Sequence, residues 1–390
     1  MHRRSFLAVA TGFLSMTSGC LGDSSRSLPE APTGEWPQQF HDRTNTSASD
    51  VTVPDRGNPA WDSGEAGSIE PLVSDGIVYS VGADATALDA QTGELEWDYE
   101  FSDQTEVTPV LTEDVLIVTA GRRLTALGRE DGSEEWSVEL PRPAERAITL
   151  GSSIITVPLA ARAEETGLLA LNPENGDRLW GNPTLAARTT AIDDEFVYTT
   201  GYRQDGDTGI LRALSVSDGS LAWERELDHP DTAPVLAGGE VLVADEGTLA
   251  VHEREDGTRL RSLESFGDRI NQPPAVKDGV AFVGIDSQEI AAVSLGDGES
   301  IWRRSGGTYR GISAGRDAVV TSGETLPNEA LAGLAAFDQS DGSVLWEHQV
   351  EGFDAFPSTA PVLVDGAVHF SSNQSSGIVA LGDLPSENGE

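Results

Sequence analysis

One sequence pattern recurs along most of the chain and constrains its fold more than any other feature. It consists of a small-apolar pair, a polar turn containing glycine, and a short strand that ends in tryptophan, as in ALDAQTGELEW at residues 87–97. The successive turn glycines lie 38 to 44 residues apart, at positions 93, 132, 176, 219, 257, 298 and 342. This period is typical of propeller blades, and each unit predicts a β-hairpin with an Asx-Gly or Thr-Gly turn.

A second pattern, a turn followed by an apolar strand, precedes each hairpin and occurs eight times, from SDGIVYS at 74–80 to DGAVHFS at 365–371. The last unit, residues 361–385, lacks a tryptophan strand, whereas Trp61 has the spacing of such a strand before the first unit. We therefore predict an all-β, eight-bladed propeller of four-stranded antiparallel blades, closed by the N-terminal strand around Trp61. Closure removes the open sheet edges that invite aggregation, and the polar caps that an open solenoid needs are not apparent.

The repeated glycines and tryptophans are assigned to architecture. Glycine permits the positive φ of the turn, and tryptophan packs a broad area between neighbouring sheets. The fifth unit departs from the pattern, because Arg261 stands where the others have tryptophan. The contact that follows this blade is therefore expected to be weaker or remodelled, with the alkyl stem of Arg261 covering part of the gap.

The charge balance restricts the partners of the chain. There are 65 acidic and 25 basic residues, for a net charge of −40, and Lys277 is the only lysine. Such a field repels nucleic acid and anionic lipid headgroups, so neither is expected as a partner. The acidic composition and the use of Arg over Lys resemble proteins of salt-loving archaea, in which molar salt screens the repulsion. We expect a monomeric propeller whose acids are solvated surface charge.

Familiar enzyme chemistry is not apparent in the sequence. Cys20 is the only cysteine, which leaves no intrachain disulfide or cysteine-rich zinc site, and the six histidines show no metal-ligand spacing. A Walker A loop, a His-Glu-x-x-His helix and a Gly-x-Ser-x-Gly elbow are all missing. No catalytic residue and no metal ligand are therefore assigned.

The first twenty residues predict export. Arg3 and Arg4 precede an apolar stretch, residues 6–16, that is too short to cross a bilayer. The twin arginine resembles a Tat-type signal, and the sequence TSGC at 17–20 resembles a lipobox with Thr17 where leucine is usual. An ordinary signal cut elsewhere, with Cys20 incidental, is the alternative.

These features divide the chain. We predict a Tat-type lipoprotein signal peptide at 1–19, a lipidated Cys20 opening a flexible tether at 20–35, one propeller at 36–385 and a tail at 386–390. Membrane lipid, reached through Cys20, would hold the propeller on the outer face of the cytoplasmic membrane.

The repeat at 87–97 resembles the tryptophan-docking repeat of the pyrroloquinoline-quinone (PQQ) family of eight-bladed propellers, and the resemblance extends over residues 36–385. The segment WPQQFHDRTNT at 36–46 is also similar to the lead-in of this family. One branch comprises quinoprotein dehydrogenases, which hold PQQ and Ca²⁺ on the propeller axis. The other comprises non-enzymatic propellers, such as the lipoprotein subunit of the bacterial outer-membrane barrel assembly machinery.

The near-minimal blades and the absence of a Cys-Cys pair favour the second branch. The resemblance then implies a binding or scaffold propeller without a cofactor, whose partner is a protein or an anionic small molecule. A PQQ- and calcium-dependent sugar or alcohol dehydrogenase remains the alternative, although no residue matches the calcium ligands of that branch. A polysaccharide-binding or lyase propeller is a third class, for which we find no paired acid and base.

A candidate site lies in the loops that lead into the innermost strands, eight to ten residues beyond each tryptophan. Four of these eight positions are arginine and two are glutamate, namely Arg146, Arg188, Arg269, Arg310, Glu70 and Glu106. The arginines predict a positive rim at one channel mouth that binds a carboxylate, a phosphate or an acidic partner. In the alternative interpretation each arginine pairs with a nearby acid, such as Glu145 beside Arg146, and only neutralises the rim.

Overall fold

Eight antiparallel sheets make up the described fold, which confirms the predicted eight-bladed propeller. The structure is a computed structural model, and it describes residues 26–386 except 65–68, 104–106, 160–166, 184–185, 204–207, 231, 268, 329–330, 351–355 and 374–376. Every blade has four strands except the fourth. That blade has five, because its two short inner strands both pair with the same longer strand. Within these residues no helix has the length and apolar character that a membrane span requires.

Each blade runs from an innermost strand at the axis to an outermost strand at the outer edge of the propeller. In blades one to four the strands are Leu72–Ser74, Ile77–Val81, Asp84–Asp89 and Leu95–Glu100; Val110–Leu111, Val115–Ala120, Arg123–Gly128 and Glu134–Glu139; Thr149–Leu150, Ile155–Pro158, Leu168–Leu171 and Arg178–Asn182; Ala186–Ala187, Ala191–Ile192, Phe196–Tyr202, Gly209–Ser215 and Leu221–Leu227. In blades five to eight they are Val235–Ala237, Glu240–Asp245, Thr248–Glu253 and Arg259–Ser265; Ala275–Lys277, Val280–Ile285, Glu289–Ser294 and Ser300–Ser305; Gly311–Ala314, Ala318–Gly323, Gly333–Asp338 and Val344–Gln349; Val362–Val364, Ala367–Ser371, Ile378–Gly382 and Asn58–Asp62.

The tryptophan of each outermost strand docks on the turn glycine of the next blade. At Gly132 an added Cβ would lie 2.6 Å from Cε3 of the Trp97 ring, so only glycine leaves room for the indole. The Trp97 Nε1 group also donates to the backbone carbonyl of Arg129 at 2.8 Å. The same docking joins Trp61 to Gly93, Trp136 to Gly176, Trp180 to Gly219, Trp223 to Gly257 and Trp302 to Gly342. The repeated spacing of tryptophan and glycine is therefore the blade-to-blade contact.

The ring closes as the sequence predicts. Strand Asn58–Asp62 pairs antiparallel with Ile378–Gly382 and becomes the outermost strand of blade eight. Trp346 docks on Gly57, and its Nε1 donates to the carbonyl of Pro54 at 2.7 Å, three residues before the glycine, as Trp97 does in its own contact. Residues 54–57 thus occupy the position that the hairpin turn has in the other blades, although they do not connect strand Ile378–Gly382 to strand Asn58–Asp62.

Arg261 remodels the contact between blades five and six. Its guanidinium makes two hydrogen bonds of 2.7 Å to the Glu240 carboxylate and donates to the carbonyl of Leu295 at 3.0 Å. Leu295 stands three residues before Gly298, which is the carbonyl position that the tryptophans reach in other blades. Leu263 covers Gly298 in place of an indole. Arginine therefore keeps the hydrogen bond of the missing tryptophan and transfers the apolar contact to leucine.

Residues 33–53, here called the axial segment, run around the axis and bond to all eight blades. The innermost strands have backbone N–H groups on the side that faces the axis, where no further strand pairs with them. Seven of these groups donate to the axial segment, at residues 73, 111, 150, 192, 236, 276 and 314. The acceptors are backbone carbonyls except in blade three, where the side chain of Gln38 is used. In blade eight, Asp365 and Gly366 donate to Thr33 and Thr52. The segment therefore ties the ring together from inside.

The tight path of the axial segment needs left-handed backbone at several non-glycine residues, namely Phe40, His41, Asn45 and Ser47. The Asp42 carboxylate accepts from the backbone N–H groups of Thr44 and Thr46 and from both threonine hydroxyls. Burial alone would raise the pKa of Asp42, but hydrogen bonds from His41, Thr46 and Thr44 bring it below its usual range. An ionised Asp42 therefore holds the turn in shape.

The N-terminal approach to this segment is also packed. Leu28 is buried, its N–H donates to Gln91 at 2.8 Å, and the N–H of Arg26 donates to Ala60 at 2.6 Å. The described part of the predicted tether, residues 26–35, thus lies against blades eight and one. The remaining tether residues, 20–25, and Cys20 itself lie outside the described residues.

Candidate functional site at the axial mouth

A cavity of about 260 Å³ lies on the axis. Gln39 and Phe40 of the axial segment line it. Its walls come from the loops that lead into the innermost strands of blades two to six. The cavity, here called the cup, therefore lies at the mouth of the ring where these loops meet the axial segment.

The structure brings two of the four predicted arginines to this cup. Arg146 and Arg188 both line it, from the neighbouring blades three and four. Each stands four residues before the innermost-strand residue that bonds to the axial segment, and Arg310 has the same position in blade seven. Arg269 lies three residues earlier in its loop, and Gln272 takes the equivalent position. Three of the four arginines thus share one structural position.

The surroundings of these arginines decide whether they are neutralised. Within the described ranges no carboxylate forms an ion pair with Arg146, Arg269 or Arg310. Arg146 donates to the backbone carbonyl of Glu145 at 2.7 Å and not to its carboxylate, so Glu145 does not neutralise it. Arg188 is half-buried and donates to the carbonyl of Pro230 at 2.9 Å. Within the described ranges, Arg146, Arg269 and Arg310 are therefore not neutralised by an ion pair.

Arg310 is held differently from the two cup arginines. Its guanidinium carbon lies 4.6 Å from the ring centre of Tyr309 and 4.9 Å from that of Phe356. Both distances are in the range of a cation–π contact. Arg310 is therefore positioned by aromatic rings beside the cup, and it does not line the cavity.

Neutral polar groups complete the cup, and the search for charged residues missed them. Thr108, Thr189 and Thr232 are buried in its wall, and the Thr189 hydroxyl donates to Gln39 Oε1 at 3.3 Å. Asn271 and Gln272 line the facing side. A usable signal was present, since threonine recurs just before the innermost strands of blades two, four and five.

Glu70 is a candidate for the exposed rim in the sequence, but in the structure it is buried. It is 6% exposed, lies outside the cup lining, and its Oε1 accepts from Trp36 Nε1 at 3.1 Å. The Phe40 backbone N–H also donates to this carboxyl. Burial raises the pKa of Glu70 to about 7, although both hydrogen bonds oppose the shift. Glu70 thus fastens the axial segment under the cup. Glu106 lies outside the described residues.

The described lining does not supply the ligands that the calcium ion of the dehydrogenase branch needs. Calcium takes six to eight oxygen ligands with several carboxylates among them, whereas Glu145 is the only carboxylate residue in the cup wall as described. Elsewhere in the part of the chain that the structure describes, no group of three His, Cys, Asp or Glu side chains is arranged to hold a metal ion.

Comparison with protein families gives two matches to one family, described as outer membrane protein assembly factor BamB, over residues 47–203 and 207–389. The outer membrane protein assembly factor BamB of Yersinia pestis is 24% identical over 242 residues, which cover 56% of this chain and 60% of that protein. The chain therefore spans less than two thirds of the length of this curated relative.

Solved structures share the fold at low sequence identity. The crystal structure of BamB from Moraxella catarrhalis matches with a TM-score of 0.62 and 14% identity, covering 81% of this chain and 96% of that one. Quinohemoprotein alcohol dehydrogenase from Comamonas testosteroni matches with a TM-score of 0.68 and 14% identity, covering 90% and 81%. Because both structures match at only 14% identity, these likenesses establish the propeller fold alone and leave function to the site.

Proposed function

The chain belongs to the family described as outer membrane protein assembly factor BamB, and from this membership we propose that it is a non-enzymatic scaffold propeller that binds a protein partner at a membrane surface. The observation that carries the proposal is the arginine rim. In a chain with 65 acidic residues, Arg146 and Arg269 are exposed in loops that lead into innermost strands, and neither has an ion-paired carboxylate within the described ranges. Exposed guanidinium groups offer forked donors to carboxylates of a partner.

The proposal includes a lipid anchor at Cys20. The signal-like residues 1–19 and the lone cysteine support export followed by lipidation. Arg26 is hydrogen-bonded to the outermost strand of blade eight through Ala60 and Pro59. Six extended residues reach about 20 Å at most, so a lipidated Cys20 would keep blade eight that close to the outer face of the cytoplasmic membrane.

The partner surface is tested with a charge reversal at the rim. The Arg146→Glu/Arg269→Glu double variant is compared with Arg178→Glu, which changes an exposed arginine on the outermost strand of blade three. Detergent-solubilised membranes at native salt are crosslinked, and captured proteins are quantified for each variant. We expect the rim reversal to reduce capture of a specific protein at least tenfold and the control to retain it. Equal capture by both variants would refute the rim as the partner surface.

The anchor and the enzymatic alternative need separate measurements. Cys20→Ser is expected to release the exported protein from the membrane fraction into the soluble fraction, and a protein that stays membrane-bound would contradict lipidation. Purified protein given PQQ and Ca²⁺ in molar salt is expected to show no dye-linked oxidation of sugars or alcohols. Saturable cofactor binding with turnover would replace the scaffold proposal.

A further inference from the structure

A second cavity, of about 580 Å³, lies between blades two and three and is here called the open groove. It is lined by residues 112–115 and 135–136 of blade two and by residues 173–174 of blade three. Because neighbouring strands of a blade are antiparallel, these turns lie at the strand ends opposite to the loops that line the cup. We propose that the open groove binds an arginine side chain of a partner protein. The inference does not rest on the arginine rim, since the two surfaces lie at opposite ends of the strands.

The lining of the open groove is acidic and unpaired. Four of its eight residues carry a carboxylate, and none of the eight is basic. Within the part of the chain that the structure describes, no ion pair involves any of the four, namely Glu113, Asp114, Glu135 and Glu174. Acids are common on this chain and do not define a site alone. The repeats of the propeller show which group such a groove accommodates.

The groove between blades one and two is filled by an arginine of the chain itself. Arg129, in the hairpin turn of blade two, pairs with the Asp75 carboxylate of blade one at 2.8 Å. Its Nε donates to the Tyr79 hydroxyl at 3.2 Å, and its guanidinium carbon lies 5.7 Å from the centre of that ring. A guanidinium thus sits between a carboxylate and an aromatic side chain of the preceding blade.

The same arrangement recurs between blades four and five. Arg254 stands three residues before the turn glycine Gly257, which is the position of Arg129 in its own turn. It pairs with the Asp193 carboxylate of blade four at 3.3 Å. In two of its grooves the propeller therefore places a guanidinium against an acidic turn of the preceding blade.

Blade three departs from this arrangement. Pro173 stands three residues before Gly176, where blade two has Arg129, and its ring cannot extend to the turn of the preceding blade. Ile117 pairs with the innermost strand of blade two as Tyr79 does in blade one, so the aromatic side chain is replaced as well. Two smaller side chains thus leave open the space that a guanidinium and a phenol occupy between blades one and two.

The carboxylate that Arg129 meets has a counterpart in the open groove. In blade one, Asp75 directly precedes Gly76, whose carbonyl accepts from the hairpin turn of the same blade. In blade two this carbonyl belongs to Asp114, so Glu113 has the position of Asp75. The open groove therefore keeps the acid of the filled groove, while its own described lining supplies no guanidinium.

Trp136 adds an unused donor to the open groove. In the six other docked tryptophans, Nε1 donates to the carbonyl three residues before the docking glycine. Trp136 Nε1 makes no hydrogen bond to any described residue, and it is not among the buried polar atoms. The indole attracts a guanidinium by cation–π contact, and its N–H suits a backbone carbonyl of the segment that carries the arginine.

The volume of the open groove agrees with this occupant. About 580 Å³ equals roughly twenty water molecules at their share of about 30 Å³ each in the liquid. An arginine side chain with part of its backbone fits this space. Its planar guanidinium can stack on the indole and bond to a carboxylate at the same time, whereas the ammonium of lysine has neither the plane nor the fork.

The test follows the indole N–H signal of Trp136 by NMR in purified protein with ¹⁵N-labelled tryptophan, at one fixed ionic strength. The signal is identified as the one that Trp136→Phe removes. We expect the tripeptide N-acetyl-Gly-Arg-Gly-amide to shift this signal saturably. The citrulline counterpart has the same shape without the charge and should bind at least tenfold more weakly. The lysine counterpart should also bind several-fold more weakly.

Variants separate the open groove from a general charge effect. Glu113→Gln/Asp114→Asn should weaken binding of the arginine peptide about tenfold. Glu94→Gln/Glu96→Gln, which makes the same charge change at exposed positions beside the outermost strand of blade one, should leave it unchanged. Pro173→Arg gives blade three the arginine of blades two and five and should weaken binding at least tenfold by filling the groove from within.

Three results would overturn the proposal. The first is the absence of a saturable shift of the Trp136 signal. The second is equal affinity for the arginine peptide and either its citrulline or its lysine counterpart. The third is equal loss of affinity in the double variant at 113 and 114 and in its control. If Pro173→Arg does not fold, the comparison of these two double variants decides.

Discussion

Replacement of Glu70 by glutamine is expected to change the pH dependence of stability in a defined direction. The carboxyl is fully buried beneath the axial segment and accepts hydrogen bonds from Trp36 Nε1 and the Phe40 N–H. No positive side chain is among the groups that act on it, so ionisation leaves a buried charge with two neutral donors. Glutamine has the shape of the protonated acid and cannot ionise, which makes Glu70→Gln a direct probe of this charge.

The magnitude follows from the shift of the pKa from 4.5 to about 7. The folded state holds its proton more tightly than the unfolded state, so the contribution of Glu70 to stability is complete below pH 4.5 and is lost as the pH rises towards and through 7. A shift of this size corresponds to about 3 kcal/mol at pH 8 relative to pH 4.5. The glutamine variant should therefore gain about 3 kcal/mol relative to the natural protein between these two pH values.

Urea unfolding of both proteins at a series of pH values, at constant ionic strength, measures this difference directly. Using the difference between proteins cancels the pH dependence of the many other acids. Glu96→Gln, which removes a carboxylate from an exposed position, should show no such trend. A difference between Glu70→Gln and the natural protein that does not change with pH would refute the argument that Glu70 is a strained buried acid.

Three further outcomes follow from the contacts of the ring. Gly57→Ala should lower the free energy of unfolding by about 2 kcal/mol, because the new Cβ would lie 2.3 Å from the Trp346 ring at the closure. Gly82→Ala has open space around its Cβ and should not lower it, so equal urea midpoints of the two variants would contradict this prediction. Arg261→Lys should cost about 1 kcal/mol by losing the paired bonds to Glu240, also measured by urea unfolding, and unchanged stability would show that the pairing is dispensable. Burial lowers the pKa of His369 to about 4, so the unfolded chain binds a proton first as the pH falls and the natural protein loses about 2 kcal/mol of stability between pH 7 and pH 5 from this group. His369→Leu should not show this loss, and an unaltered acid midpoint would contradict a neutral buried imidazole.

The propeller and its closure were predictable from the sequence because both rest on local patterns repeated many times. A tryptophan and a glycine at fixed spacing imply the same docking contact in every blade, and Trp61 could be placed by the spacing it shares with Trp97. Arg261 was recognisable as an exception for the same reason. Its actual solution, with Leu263 covering Gly298, required side-chain directions that spacing does not contain.

The axial segment could not be predicted in this way, because it has no repeat and each of its contacts is made with a different, distant part of the chain. Its position explains why the same offset from the tryptophans selects Arg146 and Arg188, which line the cup, and Glu70, which is buried outside it. The number of residues after the tryptophan identifies a position in a loop, whereas the burial of the side chain at that position depends on which other residues pack over it. In blade one that is Trp36, the first aromatic residue of a segment that lies outside the repeats.

The distribution of arginines is the strongest argument that the axial mouth has a role other than solvation. Several arginines elsewhere in the described residues meet carboxylates, as Arg212 meets Glu224 and Arg261 meets Glu240, whereas Arg178, for example, does not. Such pairing is the expected result when acids outnumber bases by 65 to 25. A surface selected only for solubility would carry more Asp and Glu at the mouth. Arg146 lines the axial cavity and is exposed, and it has no ion-paired carboxylate within the described residues. An exposed guanidinium at this place favours a partner that carries acidic groups over a rim that only neutralises charge.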